Sequence, residues 1–355
     1  MVGADGELPL PWLAEPLRSG LQRTGHALLV HGPEGVGQFE LALTLAQAWL
    51  CEGKAGAENA PRPCGVCASC RLVQSHSHPD LLVLLPDALR ESLGWVGAAE
   101  GEEGGSEKAG KAKPSKEIKV EAVRAAVSFA QTTSARGRGK VVVLHPAERI
   151  NAIASNALLK TLEEPPGNAR FVLGCSAPDA LLPTIRSRCQ ALPLPRPAAR
   201  QAAEWLGSHG VAQPSVMLAA CGGQPLRALA WAKEGVDAKS WTAFPRLVRR
   251  GESAPFSAWP LARLVDALQK LCHDALCIAC EAAPRYFPAG SIEAGAGIAS
   301  LSAWARSLAG TSRHVEHPWS AGLMVDTLID EARAALSNPA AQGRFEARDS
   351  VHLPP

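Results

Sequence analysis

No apolar run in the 355 residues reaches the roughly eighteen that a membrane-spanning helix needs, so no such span is expected. An excess of one charge is missing too. Lys and Arg number 36 against 34 Asp and Glu, and a net charge of +2 gives no strong steer toward nucleic acid or membrane. Met1 to Glu7 lack the basic region and apolar core of a signal peptide. The expectation is therefore a cytoplasmic protein, in which the 10 cysteines are thiols or metal ligands rather than disulfides. Aromatic residues are scarce at 5%, while alanine-rich helical patterns dominate the second half. That combination suits an α/β part followed by an all-α part, over two or three domains.

The most informative absence lies in residues 31–40, His-Gly-Pro-Glu-Gly-Val-Gly-Gln-Phe-Glu. A phosphate-binding loop reads G-x-x-x-x-G-K-[ST]. Gly32 and Gly37 hold the framing positions with Gly35 between them, but Gln38 replaces the lysine and Phe39 the hydroxyl residue. An amide brings no charge to a β- or γ-phosphate, and an aromatic ring cannot hold Mg²⁺. The context is intact. The apolar run at 26–30 predicts a buried strand and the pattern at 41–50 a helix. Strand, glycine loop and helix are the arrangement that turns backbone N–H groups toward an anion. Two readings follow, weak residual nucleotide binding or a scaffold turn without nucleotide, and the missing side chains favour the turn.

Cys64, Cys67 and Cys70 stand at C-x-x-C-x-x-C spacing, with Cys51 upstream across a polar Gly/Ala/Pro loop. Four thiolates complete a tetrahedral site of the kind that holds structural zinc. An iron–sulfur cluster, a redox pair and unrelated thiols are the alternatives. A redox C-x-x-C needs no third and fourth cysteine, and the rest of the chain supplies no redox context. A second set, Cys272, Cys277 and Cys280, has an iron–sulfur-like spacing but sits within a helical apolar pattern. These three are expected to be core residues.

Residues 78–85 predict another buried strand, and residues 87–116 shift to Gly, Glu, Ala, Lys and Ser, a composition expected of a mobile insertion or charged tail. A helix is expected to start at Ile118. The apolar run 140–144 stands where a nucleotide-hydrolysing domain ends its Walker B strand, which should deliver an Asp for the metal and a Glu for water. The chain instead reads His145-Pro146-Ala147-Glu148, with Glu148 out of register. This defect is independent of the one at 38 and 39. A helix over 156–166 ending in a Pro pair, a strand over 170–174, and Ser187-Arg188-Cys189 follow.

The run Leu158-Leu159-Lys160-Thr161-Leu162-Glu163-Glu164-Pro165-Pro166 together with Ser187-Arg188-Cys189 resembles the bacterial replicative clamp-loader family of AAA+ proteins. Pro11-Trp12, the glycine loop, the cysteine cluster, His78-Pro79-Asp80 and Ile118-Lys119-Val120-Glu121 add to it, over most of residues 10–195. The resemblance implies an α/β AAA+ P-loop domain with a parallel sheet over residues 1–195, carrying an inserted zinc module at about 51–70. It also implies a small helical lid over 196–240 and an all-α collar over 241–355 that joins subunits into a ring.

In such proteins the Ser-Arg-Cys arginine reaches ATP held by a neighbour, which maps the role of arginine finger onto Arg188, with Ser187 and Cys189 as flanking motif. Arg186 competes, and an ordinary ion pair is the other reading of Arg188. The lid arginine of active members falls at Leu226, with Arg227 one position off, a rotation of roughly 100 degrees on a helix. The implied partners are tau/gamma motor subunits and a delta subunit in a hetero-pentamer, the sliding clamp, and primed DNA through the complex. The implied role is a non-catalytic stator of the polymerase III holoenzyme, with structural zinc and no ATP; the alternative is an ATP-hydrolysing motor subunit.

Overall fold

Five short segments of this chain assemble into one parallel sheet, in the order β2-β3-β4-β1-β5. The computed structural model describes residues 1–53, 62–95, 114–314 and 321–337. In chain order the first unit contains α1 (Ala14–Leu21), β1 (Ala27–His31), α2 (Gln38–Leu50), α3 (Ala68–Gln74), β2 (Leu81–Leu84) and α4 (Asp87–Arg90). It continues with α5 (Val120–Gln131), β3 (Val141–Leu144), α6 (Ala152–Glu163), β4 (Arg170–Cys175), α7 (Pro183–Arg186) and β5 (Gln190–Pro193).

The middle strands read as near-continuous apolar runs because helices cover both faces of a parallel sheet. All four residues of β3 are buried, as are the first four of β1. One face packs Val142, Leu144, Phe171 and Leu173 against Val123, Ala126, Leu158 and Leu162 of α5 and α6. The helix α6 starts earlier than the expected Asn156, because the Asn151 side chain caps it by accepting from the Ala154 N–H at 2.9 Å. It stops at Glu163, just ahead of Pro165 and Pro166.

The strand β5 escaped the sequence reading. It lies at one edge of the sheet and only Leu192 is buried, so its residues carry no apolar run. The expected mobile insertion also needs correcting at its start. Residues 87–90 form α4, and Trp95 is buried and stacked on His76 with ring centres 3.8 Å apart. Trp95 orders the end of this stretch because its ring has aromatic partners. Residues 96–113 of the expected insertion, and 54–61 of the expected zinc module, lie outside the described residues.

Contacts divide the chain after Gln201, inside α8 (Ala199–Ser208). The second unit holds α9 (Pro214–Ala220), α10 (Pro225–Lys233), α11 (Ala238–Arg250), α12 (Leu261–Ala279), α13 (Ile298–Arg313) and α14 (Ala321–Ser337). Its buried apolar residues from Ala202 to Leu336 form a single cluster, which spans the stretches expected as lid and collar. Rings lie at its centre: Trp241 stacks on Phe287 at 4.5 Å and on Phe244 at 5.8 Å. Buried Asp274 ties the loop after α12 by accepting from the N–H groups of Arg285, Tyr286 and Phe287 at 2.7–2.9 Å.

Of the cysteines expected as core, Cys272 is buried, but Cys277 is half-buried and Cys280 is exposed. The helix ends at Ala279, so Cys280 falls at its C-cap, where the backbone leaves the buried stripe. Among the described residues no helix is long and apolar enough to cross a membrane.

Candidate functional site

The glycine loop joins β1 to α2 as the motif requires, and its glycines have packing reasons of their own. Gly37 sits at the N-cap of α2 with φ at +107°, and a Cβ there would also meet the Leu10 side chain at 2.4 Å. A Cβ on Gly32 would lie 1.9 Å from the carbonyl oxygen of Leu194, just past β5. Trp12 holds the loop from outside, its indole N–H donating to the Val36 carbonyl at 2.7 Å.

The two residues that depart from the motif are both engaged inside the protein. The buried Gln38 amide donates from Nε2 to the carbonyls of Gly32 at 2.8 Å and Pro33 at 2.7 Å, bridging the loop's first turn. Phe39 is buried against His145, with ring centres 5.2 Å apart, and meets Trp95 edge-on at 6.2 Å. Burial pushes the His145 imidazole down to about 4, so it is neutral at physiological pH.

The departures at the end of β3 are equally settled into local structure. Glu148 Oε1 accepts from the N–H of Ser176 at 3.0 Å and from its hydroxyl. Burial would raise the Glu148 carboxyl, but the Ser176 hydrogen bonds outweigh it and hold the group below the usual range. A carboxylate committed in this way stabilises the turn after β4.

The arginine motif lies between α7 and β5. Arg188 donates through Nε to Glu163 Oε1 at 2.6 Å, and through Nη2 to the same oxygen. Its Nη1 donates to the Thr184 carbonyl at 2.9 Å and reaches the Ser187 hydroxyl at 3.4 Å. The pair is partly exposed, with 31% of the Arg188 side chain and 46% of the Glu163 side chain accessible. Arg186 is turned to Asp179 instead, at 2.6 Å. Cys189 packs against the sheet core, and burial pushes its thiol up to about 12, which suits a spacer. Arg227, in the second unit, donates to Asp266 at 2.7 Å, and Leu226 is partly buried beside it.

The four cysteines of the first set converge, with every sulfur within 4.8 Å of the others. Cys51 caps the end of α2 and Cys67 the start of α3, so the turn of Cys64–Cys70 folds back onto the glycine-loop helix. The sulfur separations are 3.5 Å for Cys51–Cys64 and 3.9 Å for both Cys51–Cys67 and Cys64–Cys70. Four sulfurs about 2.3 Å from one zinc ion stand roughly 3.8 Å apart, so the set fits a closed tetrahedral site.

Beside this cluster is a polar network that sequence reading did not assemble. Asp80, fully buried, accepts from the Ser134 hydroxyl at 2.9 Å, the Ala135 and Arg136 N–H groups at 2.8 and 2.9 Å, and pairs with Lys140 at 3.1 Å. Burial alone would raise its carboxyl; these donors outweigh burial and hold it below the usual range. Since His78 Nδ1 accepts from the Asp80 N–H, its Nε2–H donates to Ser69, which donates to Leu50. Arg136 grips Glu52 in a fork at 2.6 and 2.9 Å. The His78-Pro79-Asp80 motif therefore ties the cysteine cluster to the loop ahead of β3. The only sequence signal for this was the motif itself.

A five-stranded parallel sheet with a glycine loop between its fourth strand in space and α2 defines an α/β domain of the AAA+ clamp-loader type. A family model described as DNA polymerase III, delta subunit, matches residues 14–198. The DNA polymerase III subunit delta-prime of Pseudomonas aeruginosa is 36% identical over 221 residues, covering 61% of this chain and 58% of that protein. That of Escherichia coli is 30% identical over 283 residues, covering 73% of this chain and 76% of the relative. The Escherichia coli subunit tau is 34% identical over 169 residues, covering 48% of this chain and 21% of tau. The chain belongs to the delta-prime family of DNA polymerase III clamp-loader subunits.

Proposed function

We propose that this chain is a non-catalytic stator of a replicative clamp loader, helping to load the sliding clamp onto primed DNA. It presents Arg188 to ATP bound by a neighbouring motor subunit. One observation carries the reading: Gln38 is spent on the loop's own carbonyls, at 2.8 and 2.7 Å, and Phe39 on a ring cluster. Neither the charge nor the metal ligand that hydrolysis needs is offered. Arg188, by contrast, is held near the surface on one carboxylate, the Thr184 carbonyl and the Ser187 hydroxyl. A phosphate oxygen from a neighbour competes with Glu163 for the same guanidinium N–H groups, and a planar fork suits it.

In this reading the partners are tau/gamma motor subunits and a delta subunit in a hetero-pentamer. Residues 196–240 serve as lid and 241–355 as collar, and zinc on Cys51, Cys64, Cys67 and Cys70 is structural. The test is a reconstituted loader carrying Arg188→Ala. Assembly is expected to persist while DNA-stimulated ATPase falls, since an arginine finger is worth about 10³ or more at the site it serves. Unchanged ATPase would remove the role from Arg188. Steady ATP turnover by the isolated chain would favour a motor subunit instead.

A further inference from the structure

At the amino-terminal edge of the sheet, away from the glycine loop, lies a cavity of about 610 Å³. Residues from the ends of α1 and α2 and from the turn before β4 line it, Arg62, Arg138 and Arg170 among them, and among the described residues no Asp or Glu does. Ion pairing takes up many other arginines of this domain, including Arg18, Arg136, Arg186 and Arg188. The guanidinium groups of Arg62, Arg138 and Arg170 have no hydrogen bond or ion pair among the described residues.

Arg170 is the most telling of the three. It is half-buried over the Trp49 ring, with its guanidinium carbon 4.8 Å from the ring centre. Burial without a compensating carboxylate lowers its affinity for its proton. Trp49, which also lines the cavity, keeps its indole N–H buried with no partner. A half-buried cation is costly when unmatched, so arginines lining one space without a carboxylate point to an absent acceptor.

We propose that this cavity binds closely spaced phosphates, received by Arg62, Arg138 and Arg170. Three arginines line a volume within the range of ligand pockets, and guanidinium pairs with phosphate bidentately. Two sources share that chemistry: a free polyphosphate and the backbone of a nucleic-acid strand. The site is separate from the loop filled by Gln38 and does not depend on the stator reading.

Calorimetric titration of the full chain with inorganic tripolyphosphate at low salt tests it. Saturable binding is expected, weakened by about tenfold or more in Arg138→Glu and in Arg62→Ala. Arg138 is exposed, so its reversal leaves the fold in place, and unchanged thermal unfolding confirms that. Arg249→Ala, in the second unit, is expected to bind as the unmodified chain does. No saturable binding, or equal binding by the Arg138 and Arg62 variants, overturns the proposal. A short oligodeoxythymidine displaced by tripolyphosphate from the unmodified chain but not bound by Arg138→Glu assigns the strand as the source. An oligonucleotide that fails to bind assigns the free polyphosphate.

Discussion

Replacing Asp80 by Asn changes few atoms yet removes the centre of a buried network. The carboxylate has no solvent exposure and answers the Ser134 hydroxyl, two backbone N–H groups and the Lys140 ammonium. Lys140 keeps only 8% of its side chain exposed, so loss of the charge leaves a cation in a nearly dry place. Removing one member of a buried pair costs about 3–5 kcal/mol. The Pro79 carbonyl at 3.2 Å and the Phe129 ring at 4.3 Å retain part of the ammonium's interactions, which places the expectation near ~3 kcal/mol.

Urea unfolding of the full chain reads the loss, and amide exchange at Ala135 and Arg136 localises it. The pH dependence has a fixed sign. The native carboxyl is held below its ordinary value, so its contribution is fully present above the unfolded value near pH ~4 and is lost as pH falls through the native one. The gap between unmodified chain and variant should therefore be constant near neutrality and close below about pH 4. Adding Lys140→Met should recover part of the loss, with a coupling of roughly 1–3 kcal/mol. A cost under ~1 kcal/mol, or strict additivity of the two changes, would refute the account of this network.

Gln38→Ala removes two amide hydrogen bonds and should destabilise the first unit by about 1–3 kcal/mol in urea without creating ATP affinity. Micromolar ATP binding by that variant would mean that the amide, not the lost chemistry, excludes nucleotide. Gly32→Ala forces the Leu194 carbonyl away from β1, and exchange of the Leu194 amide should rise as ~1–3 kcal/mol is lost; a neutral result would contradict the close approach. Metal analysis of chain purified without chelator should find about one zinc, and Cys64→Ser should abolish it and loosen α3 and the end of α2. Well under one equivalent in the unmodified chain would count against the site.

Much of the sheet was legible because its inner strands are continuous apolar runs flanked by glycine or proline, as at 26–30 and 140–144. The edge strand β5 was not, since one buried residue in four leaves no pattern. The cysteine set was legible from spacing, because a short turn fixes where such sulfurs go. The partner of Arg188 was not: Glu163 stands 25 positions earlier, and only the turn from α6 through β4 to α7 brings the two together. The links from Asp80 to residues 134–136 and to Lys140 were hidden for the same reason. A fold closes such contacts, and local propensity does not announce them.

Why a chain without the lysine and hydroxyl residue of a phosphate-binding loop has the loop's turn follows from what the loop touches. Gly32 lets the chain after β5 approach β1, and the Leu194 N–H donates to the His31 carbonyl at 2.7 Å. The strand β5 begins at Gln190, two residues after Arg188, and its register on β1 runs from Leu28–Gln190 to His31–Pro193. Pairing with β1, the strand that leads into the glycine loop, thus sets where the chain after Arg188 joins the sheet edge. Glu163 at the end of α6 then sets the direction of Arg188. This arrangement needs no Lys at 38, because Gln38 supplies the bridge to Gly32 and Pro33. Losing Gly32 would move β5 and with it the start of the Ser187–Cys189 segment. Backbone geometry at the loop and the placement of Arg188 are one mechanical problem, which is sufficient reason for the turn to be present without those two side chains.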